Sequence, residues 1–86
     1  MYVVFVYDVA ADRTRKLLKL GRRYLIHVQN SVLEGEITEG DLAQFEAEVD
    51  ALLEPGESAI IYKFASETYV NRSTFGDDPA ADAKFL

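Results

Sequence analysis

Cysteine is absent from this 86-residue chain, and histidine occurs once. Without cysteine there is no disulfide framework, thiolate zinc site, iron–sulfur cluster or cysteine nucleophile. With His27 standing alone, a histidine-rich metal site within one chain is excluded as well. No apolar run approaches the ~20 residues of a membrane span. Met1 leads straight into a strand-like segment rather than a basic leader. The expectation is a soluble, cytoplasmic domain with no membrane partner. Short length sets a further limit, because a chain of this size forms one domain that buries only roughly 60–65% of its unfolded surface. A composition of 49% hydrophobic and 28% charged residues is ordinary for a globular protein and unlike a disordered one.

Basic residues are scarce overall, and the formal net charge is −6. That total hides an asymmetry. Six of the nine basic residues, Arg13, Arg15, Lys16, Lys19, Arg22 and Arg23, fall within eleven consecutive positions. Residues 1–32 carry +4 and residues 33–86 carry −10. A partner responds to the local field rather than to the total, so acidity does not exclude nucleic acid. The excess acid also suits a high-salt cytoplasm. At 1 M salt the Debye length is about 3 Å, so distant acid would barely weaken a basic stripe.

The segment Tyr2–Asp8 is β-branched and aromatic without alternation until Asp8, the pattern of a central strand that is apolar on both faces. Residues 12–24 read as a helix with Asp12 at its N-cap and Leu17, Leu20 and Tyr24 on one side. Leu25 to Ile37 is strand-like again, broken near Gln29-Asn30-Ser31 into two short strands or one strand bent by a bulge. Thr38 and Asp41 have capping-box spacing, and Leu42, Phe45, Val49 and Leu52/Leu53 mark the apolar face of a second helix. Glu54-Pro55-Gly56 stops that helix, Ser58 to Phe64 is the next strand, and Thr68 to Arg72 is a candidate edge strand. The order β-α-β-β-α-β with an extra C-terminal strand is a ferredoxin-like α+β sandwich. Its domain spans residues 1–75, followed by an acidic tail over residues 76–86. Both helices cover one face of the sheet, while the first strand asks for cover on both. A two-fold homodimer, sheet against sheet, is the economical answer.

Two features carry candidate chemistry. On a helix, Arg15, Lys16, Lys19, Arg22 and Arg23 share an arc of roughly 120°, opposite the apolar residues. The stripe holds no acid for an i,i+4 pair. It reads either as a phosphate-tracking surface or as a solvated helix face. Asp8 ends the first strand, where loops build sites. It is either a Mg²⁺ ligand, metal-binding and catalytic, or the cap of the following turn. Arg13 is near enough in sequence to pair with Asp8 or to reach a phosphate. His27 and Ser31 read as strand and strand-break residues, and Glu46, Glu48, Asp50 and Glu54 as a solvated face. Tyr24, Tyr62 and Tyr69 read as packing residues.

The strand Tyr2-Val3-Val4-Phe5-Val6-Tyr7-Asp8-Val9, the basic helix, and Val28-Gln29-Asn30-Ser31-Val32-Leu33-Glu34-Gly35 together resemble the CRISPR-associated Cas-two family. The likeness covers about residues 1–64 and includes Ile60-Ile61-Tyr62, while Leu33 stands where that family usually has Phe. The resemblance implies a ferredoxin-like homodimer of CRISPR adaptation that holds duplex prespacer DNA and bridges dimers of the Cas-one integrase. It also implies, for some members, Mg²⁺-dependent endonuclease action on single-stranded RNA or double-stranded DNA, with the metal-binding residue falling on Asp8 and its two-fold mate. Three readings stay open: a metal-dependent phosphodiesterase, a non-catalytic DNA-binding adaptor, and a small-ligand regulatory module. The last lacks a Gly-rich loop or polar ligand cluster in the sequence.

Overall fold

A computed structural model describes residues 1–77, so the tail expected at 76–86 lies almost wholly outside the described residues. Strand β1 (Tyr2–Asp8) leads through a 3-10 turn (Ala11–Arg13) to helix α1 (Thr14–Arg22). Strands β2 (Ile26–Gln29) and β3 (Val32–Glu36) follow, then α2 (Glu39–Leu52), β4 (Ser58–Phe64) and a 3-10 turn at Glu67–Tyr69. The sheet order is β2-β3-β1-β4 with every neighbouring pair antiparallel. Helix α1 therefore crosses the position that β3 fills, and α2 crosses β1, which is the ferredoxin-like arrangement.

Central placement of β1 follows from its residues. Val3, Phe5 and Tyr7 are buried and point toward the helices, where they join Leu17, Leu20, Leu33, Phe45 and Val49 in the core. Phe45 is fully buried and meets Phe5 edge-on at 4.9 Å between ring centroids, with Tyr24 at 5.1 Å. Aromatic pairs in this geometry add to the stabilisation from burial alone. Gly21 lets α1 close down on β3, since a Cβ there would come within 2.9 Å of Leu33 Cδ2. Leucine at position 33 thus fills its space against the helix backbone.

The two halves of the middle segment are joined as both sequence alternatives allowed. β2 and β3 are separate strands, and a bulge interrupts their register between His27 and Gln29. The second helix begins as its residues require, with the Asp41 N–H donating to Thr38 Oγ1 at 3.1 Å. Its end is set by a tight turn. In Glu54-Pro55-Gly56-Glu57 the Glu57 N–H donates to the Glu54 carbonyl at 3.0 Å, and Gly56 takes φ +86°. Proline second and glycine third are what this turn type demands.

Two expectations are corrected. Asp12 does not cap α1: it lies in the 3-10 turn, and residue 13 takes the cap position without a side-chain bond. Thr68–Arg72 does not form an edge strand among the described residues. Ser66 and Thr68 hydroxyls bond at 2.6 Å, Val70 N–H returns to the Glu67 carbonyl, and the chain turns across the sheet instead. There Arg72 pairs with the buried Glu34 at 3.3 Å. Glu34 lies on the sheet face away from the helices, and an edge strand would leave its carboxylate without that cation.

Replacing Phe45 by alanine removes the ring on which Phe5 and Tyr24 meet. We expect a loss of about 3–5 kcal/mol, measured as a lower midpoint in urea unfolding. For a domain of this size that is a large share of the total stability.

Candidate nucleic-acid interface

Two consequences of the fold decide where chemistry is available. Along β1 the side chains alternate, so Tyr2, Val4, Val6 and Asp8 share the face opposite the helices. Register places Ile60 and Tyr62 of β4 beside Val6 and Val4, and Ser58 beside Asp8. Ile60 and Tyr62 are each 52% exposed. Residues 70–75 cross this face over Val4, Val28 and Val32 and leave the β4 side open. Asp8 is exposed and ends the strand on this same apolar face.

Near Tyr2 the outer face is polar in a controlled way. Burial pushes the Tyr2 phenol up to about 12, and the Glu34 and Glu67 carboxylates push in the same direction. Tyr2 stays protonated beside Glu34, whose carboxylate pairs with Arg72 at 3.3 Å.

Among the described residues, no group of three or more histidine, aspartate or glutamate side chains converges to hold a metal. Asp8 alone supplies one hard oxygen ligand. Mg²⁺ is commonly held by one or two carboxylates with waters and phosphate oxygens completing its shell. The residue is of the type such a site uses, as a single carboxylate ligand.

The six basic residues separate into two kinds. Arg15, Lys16, Lys19 and Arg22 are exposed and have no ion-pair partner among the described residues. At 1.5 Å per residue they run about 10 Å along α1. Arg15 also borders a groove with Tyr7, Leu18, His27, Asn30 and Ser31. His27 Nε2 lies 2.8 Å from the Asn30 carbonyl and donates to it in the tautomer this geometry selects.

Arg23 and Arg13, in contrast, have ion-pair partners. The Arg23 guanidinium is 3.3 Å from Glu48 and sits 5.6 Å from the centre of the Tyr24 ring. Glu48 also accepts from the Tyr24 hydroxyl and from Gln44, which ties α1 to α2. Arg13 is tied down more completely. Its Nε bonds Glu57 at 2.7 Å, one terminal nitrogen bonds the Leu52 carbonyl at 2.6 Å, and the other lies 3.0 Å from Glu54. Of the two roles open to Arg13 in the sequence, pairing with Asp8 is not the one formed: its ion-pair partners are Glu54 and Glu57. Glu48, read from the sequence as part of a solvated face, is instead half-buried and shared by Arg23, Tyr24 and Gln44, while Glu54 stays exposed and pairs with Arg13 from there.

Glu57 was not legible as functional from residue type. The signal was its spacing: a carboxylate three residues beyond Glu54 across Pro-Gly turns back, and its own oxygen accepts from the Glu54 N–H at 2.9 Å. The Arg13 bond holds the Glu57 carboxyl below its ordinary 4.5. The corresponding stabilisation is complete above that ordinary value and is lost as pH falls through the lowered one. Arg13→Ala is expected to destabilise the fold at pH 7, with the gap to the wild type shrinking below about pH 4. Paired urea titrations across that range measure it.

A model of the family described as CRISPR associated protein Cas2 matches residues 1–72. The chain is 40% identical over 85 residues to a protein named CRISPR-associated endoribonuclease Cas2 from Haloferax volcanii, covering 99% of each. A protein of the same name from Thermotoga maritima is 41% identical over 83 residues, covering 95% of each. A solved structure titled "Crystal structure of cas2" superposes with a TM-score of 0.84 at 34% identity, over 93% of this chain and 91% of that one.

Proposed function

Because the chain belongs to the CRISPR-associated Cas2 family, we propose that it works as a homodimeric nucleic-acid-binding protein of CRISPR adaptation with endonuclease capacity. The relatives' name, endoribonuclease, supports hydrolysis of phosphodiester bonds in RNA. In this reading the dimer also holds duplex prespacer DNA and bridges the Cas-one integrase. The observation that carries nucleic-acid binding is the set of four exposed cations, Arg15, Lys16, Lys19 and Arg22, with no ion-pair partner among the described residues, on one helix of an acidic protein. Such cations in line along α1 track a phosphate backbone, and each phosphate they neutralise releases a counterion.

The dimer follows from the outer sheet face. Val4, Val6, Ile60 and Tyr62 present an apolar surface that a second copy covers, sheet against sheet. Asp8 ends on that face, so the same two-fold axis brings two Asp8 side chains toward one another. As a pair they supply the carboxylates for Mg²⁺. When bound, the ion would activate water and offset charge on the phosphodiester. Asp8 holds and orients; the α1 cations position the backbone of the substrate. Single-stranded RNA and double-stranded DNA are both substrates of the required chemistry.

One observation favours a second reading, the non-catalytic adaptor: among the described residues no group of three or more metal-ligating side chains gathers around Asp8. Asp8→Ala decides between them. In the nuclease reading the variant still dimerises and binds nucleic acid, but loses Mg²⁺-supported cleavage by more than about 100-fold, beyond the range for residues that merely support metal ligands. Undiminished cleavage leaves the adaptor. For the stripe, neutralising Arg15, Lys19 and Arg22 together is expected to flatten the salt dependence of duplex binding by about 0.9 in log–log slope for each phosphate no longer neutralised. Fluorescence anisotropy across a salt series checks this. A slope that stays put removes the stripe from the interface.

A further inference from the structure

Asp8 is the last residue of β1, and the chain leaves it through Val9 and Ala10 before the 3-10 turn Ala11–Arg13. Little in this connection anchors itself. Residues 11–13 include no buried side chain, and the turn has no side-chain cap. On the neighbouring strand, Ser58 is paired with Asp8, and it follows directly on the Glu54–Glu57 turn. Two loops thus flank the Asp8–Ser58 pair, one after the first strand and one before the fourth.

Arg13 joins those loops. Its guanidinium reaches three oxygens across the gap, on Glu57, Glu54 and the Leu52 backbone. The Arg13 backbone N–H also donates to the Ala10 carbonyl at 2.8 Å, two residues beyond Asp8. The Arg13 and Glu57 side chains are only 13% and 8% exposed. From these contacts we infer that Arg13 is a positioning residue: clamped to Glu57, it fixes the path of Val9 and Ala10 and thereby the direction in which Asp8 presents its carboxylate. The inference rests on the reading in which Asp8 acts on the phosphodiester.

Chemistry supports a fixed clamp over a phosphate contact. A guanidinium offers a planar fork of five donors, and here its three nitrogens are all engaged by protein oxygens. Two carboxylates surround one cation, so the local charge is negative and repels a polyanion. Lysine cannot substitute, because a point charge on a flexible stem does not hold three oxygens in one plane. Loss of the clamp should alter where Asp8 points while leaving the α1 stripe untouched.

The experiment uses the full chain with Arg13→Ala, Arg13→Lys, Glu57→Gln and Asp8→Ala, assayed on a single-stranded RNA oligonucleotide with Mg²⁺. Arg13→Ala is expected to lower kcat about tenfold, the scale for residues that support a ligand, with KM and RNA Kd within about twofold. Amide hydrogen exchange is expected to speed up at Val9 and Ala10 and to stay unchanged in α1. Arg13→Lys recovers little, and added guanidinium ion restores part of the Arg13→Ala rate at low millimolar concentration. Should Arg13→Ala fail to fold, Glu57→Gln keeps the side-chain shape and is expected to show the same kcat-only loss, smaller in size. A rise in KM and Kd with kcat unchanged would mean a phosphate contact and overturn the inference. So would unchanged kcat with lowered stability, which leaves the clamp a structural tie alone. Cleavage by Asp8→Ala at the wild-type rate removes the reading beneath the inference, and is told apart because it appears in that variant whatever Arg13 does.

Discussion

Strand β1 is apolar on both faces, and much of the remaining structure answers that one constraint. Val3, Phe5 and Tyr7 need the two helices, and Val4 and Val6 need something else. A strand of this kind is stable only in the middle of a sheet, which places β3 and β4 on its two sides. The 70–75 segment covers part of the second face and leaves Ile60 and Tyr62 to solvent. Asp8 gains its meaning from the same alternation. As the next member of the series Tyr2, Val4, Val6, it ends on the uncovered face rather than among the helices.

Charge follows a different logic from burial. The basic helix and the acidic second helix lie side by side on one layer, so some acid was always near enough to be used. Glu48 takes Arg23, and the turn after α2 takes Arg13. What remains is a stripe of four cations, narrower than the sequence suggests. Of these pairs Arg13–Glu57 is the one largely shielded from solvent, where a broken pair matters more than at an exposed surface. The acid of residues 33–86 therefore has two physical roles: it keeps most of the surface negative, and it ties the basic helix to its neighbours.

Much of the fold was legible in the residues because the signals were local and mutually consistent. Thr38 with Asp41, the Pro-Gly stop, and the β4 run Ser58–Phe64 each match their structural element. Asp12 and the 68–72 segment misled for the same reason: local preference lost to a longer-range partner. Asp12 has cap chemistry, yet the chain must first make the turn that brings Arg13 to Glu57. Thr68–Arg72 has strand chemistry, yet Arg72 is drawn across the sheet to Glu34. In the candidate site, Asp8 and the α1 stripe could be read from type and spacing. The fate of Arg13 could not, because its partner lies 44 residues away and only the tertiary fold brings them together.

A single carboxylate is a sparse outfit for phosphodiester chemistry, and symmetry is the cheapest way to enlarge it. A two-fold axis through the apolar face doubles whatever that face carries, so one residue at the end of β1 becomes two without any added sequence. The condition is aim: two carboxylates at the end of exposed strands help only if each is held in one direction. A small domain has little core to spare for that task. Clamping the exit loop from behind, with an arginine that reaches an adjacent turn, supplies the stiffness from polar contacts at the rim. On that proposal the acidity of the chain becomes part of the site's architecture: two of the carboxylates that make its total charge unfavourable for nucleic acid, Glu54 and Glu57, hold Arg13 in place.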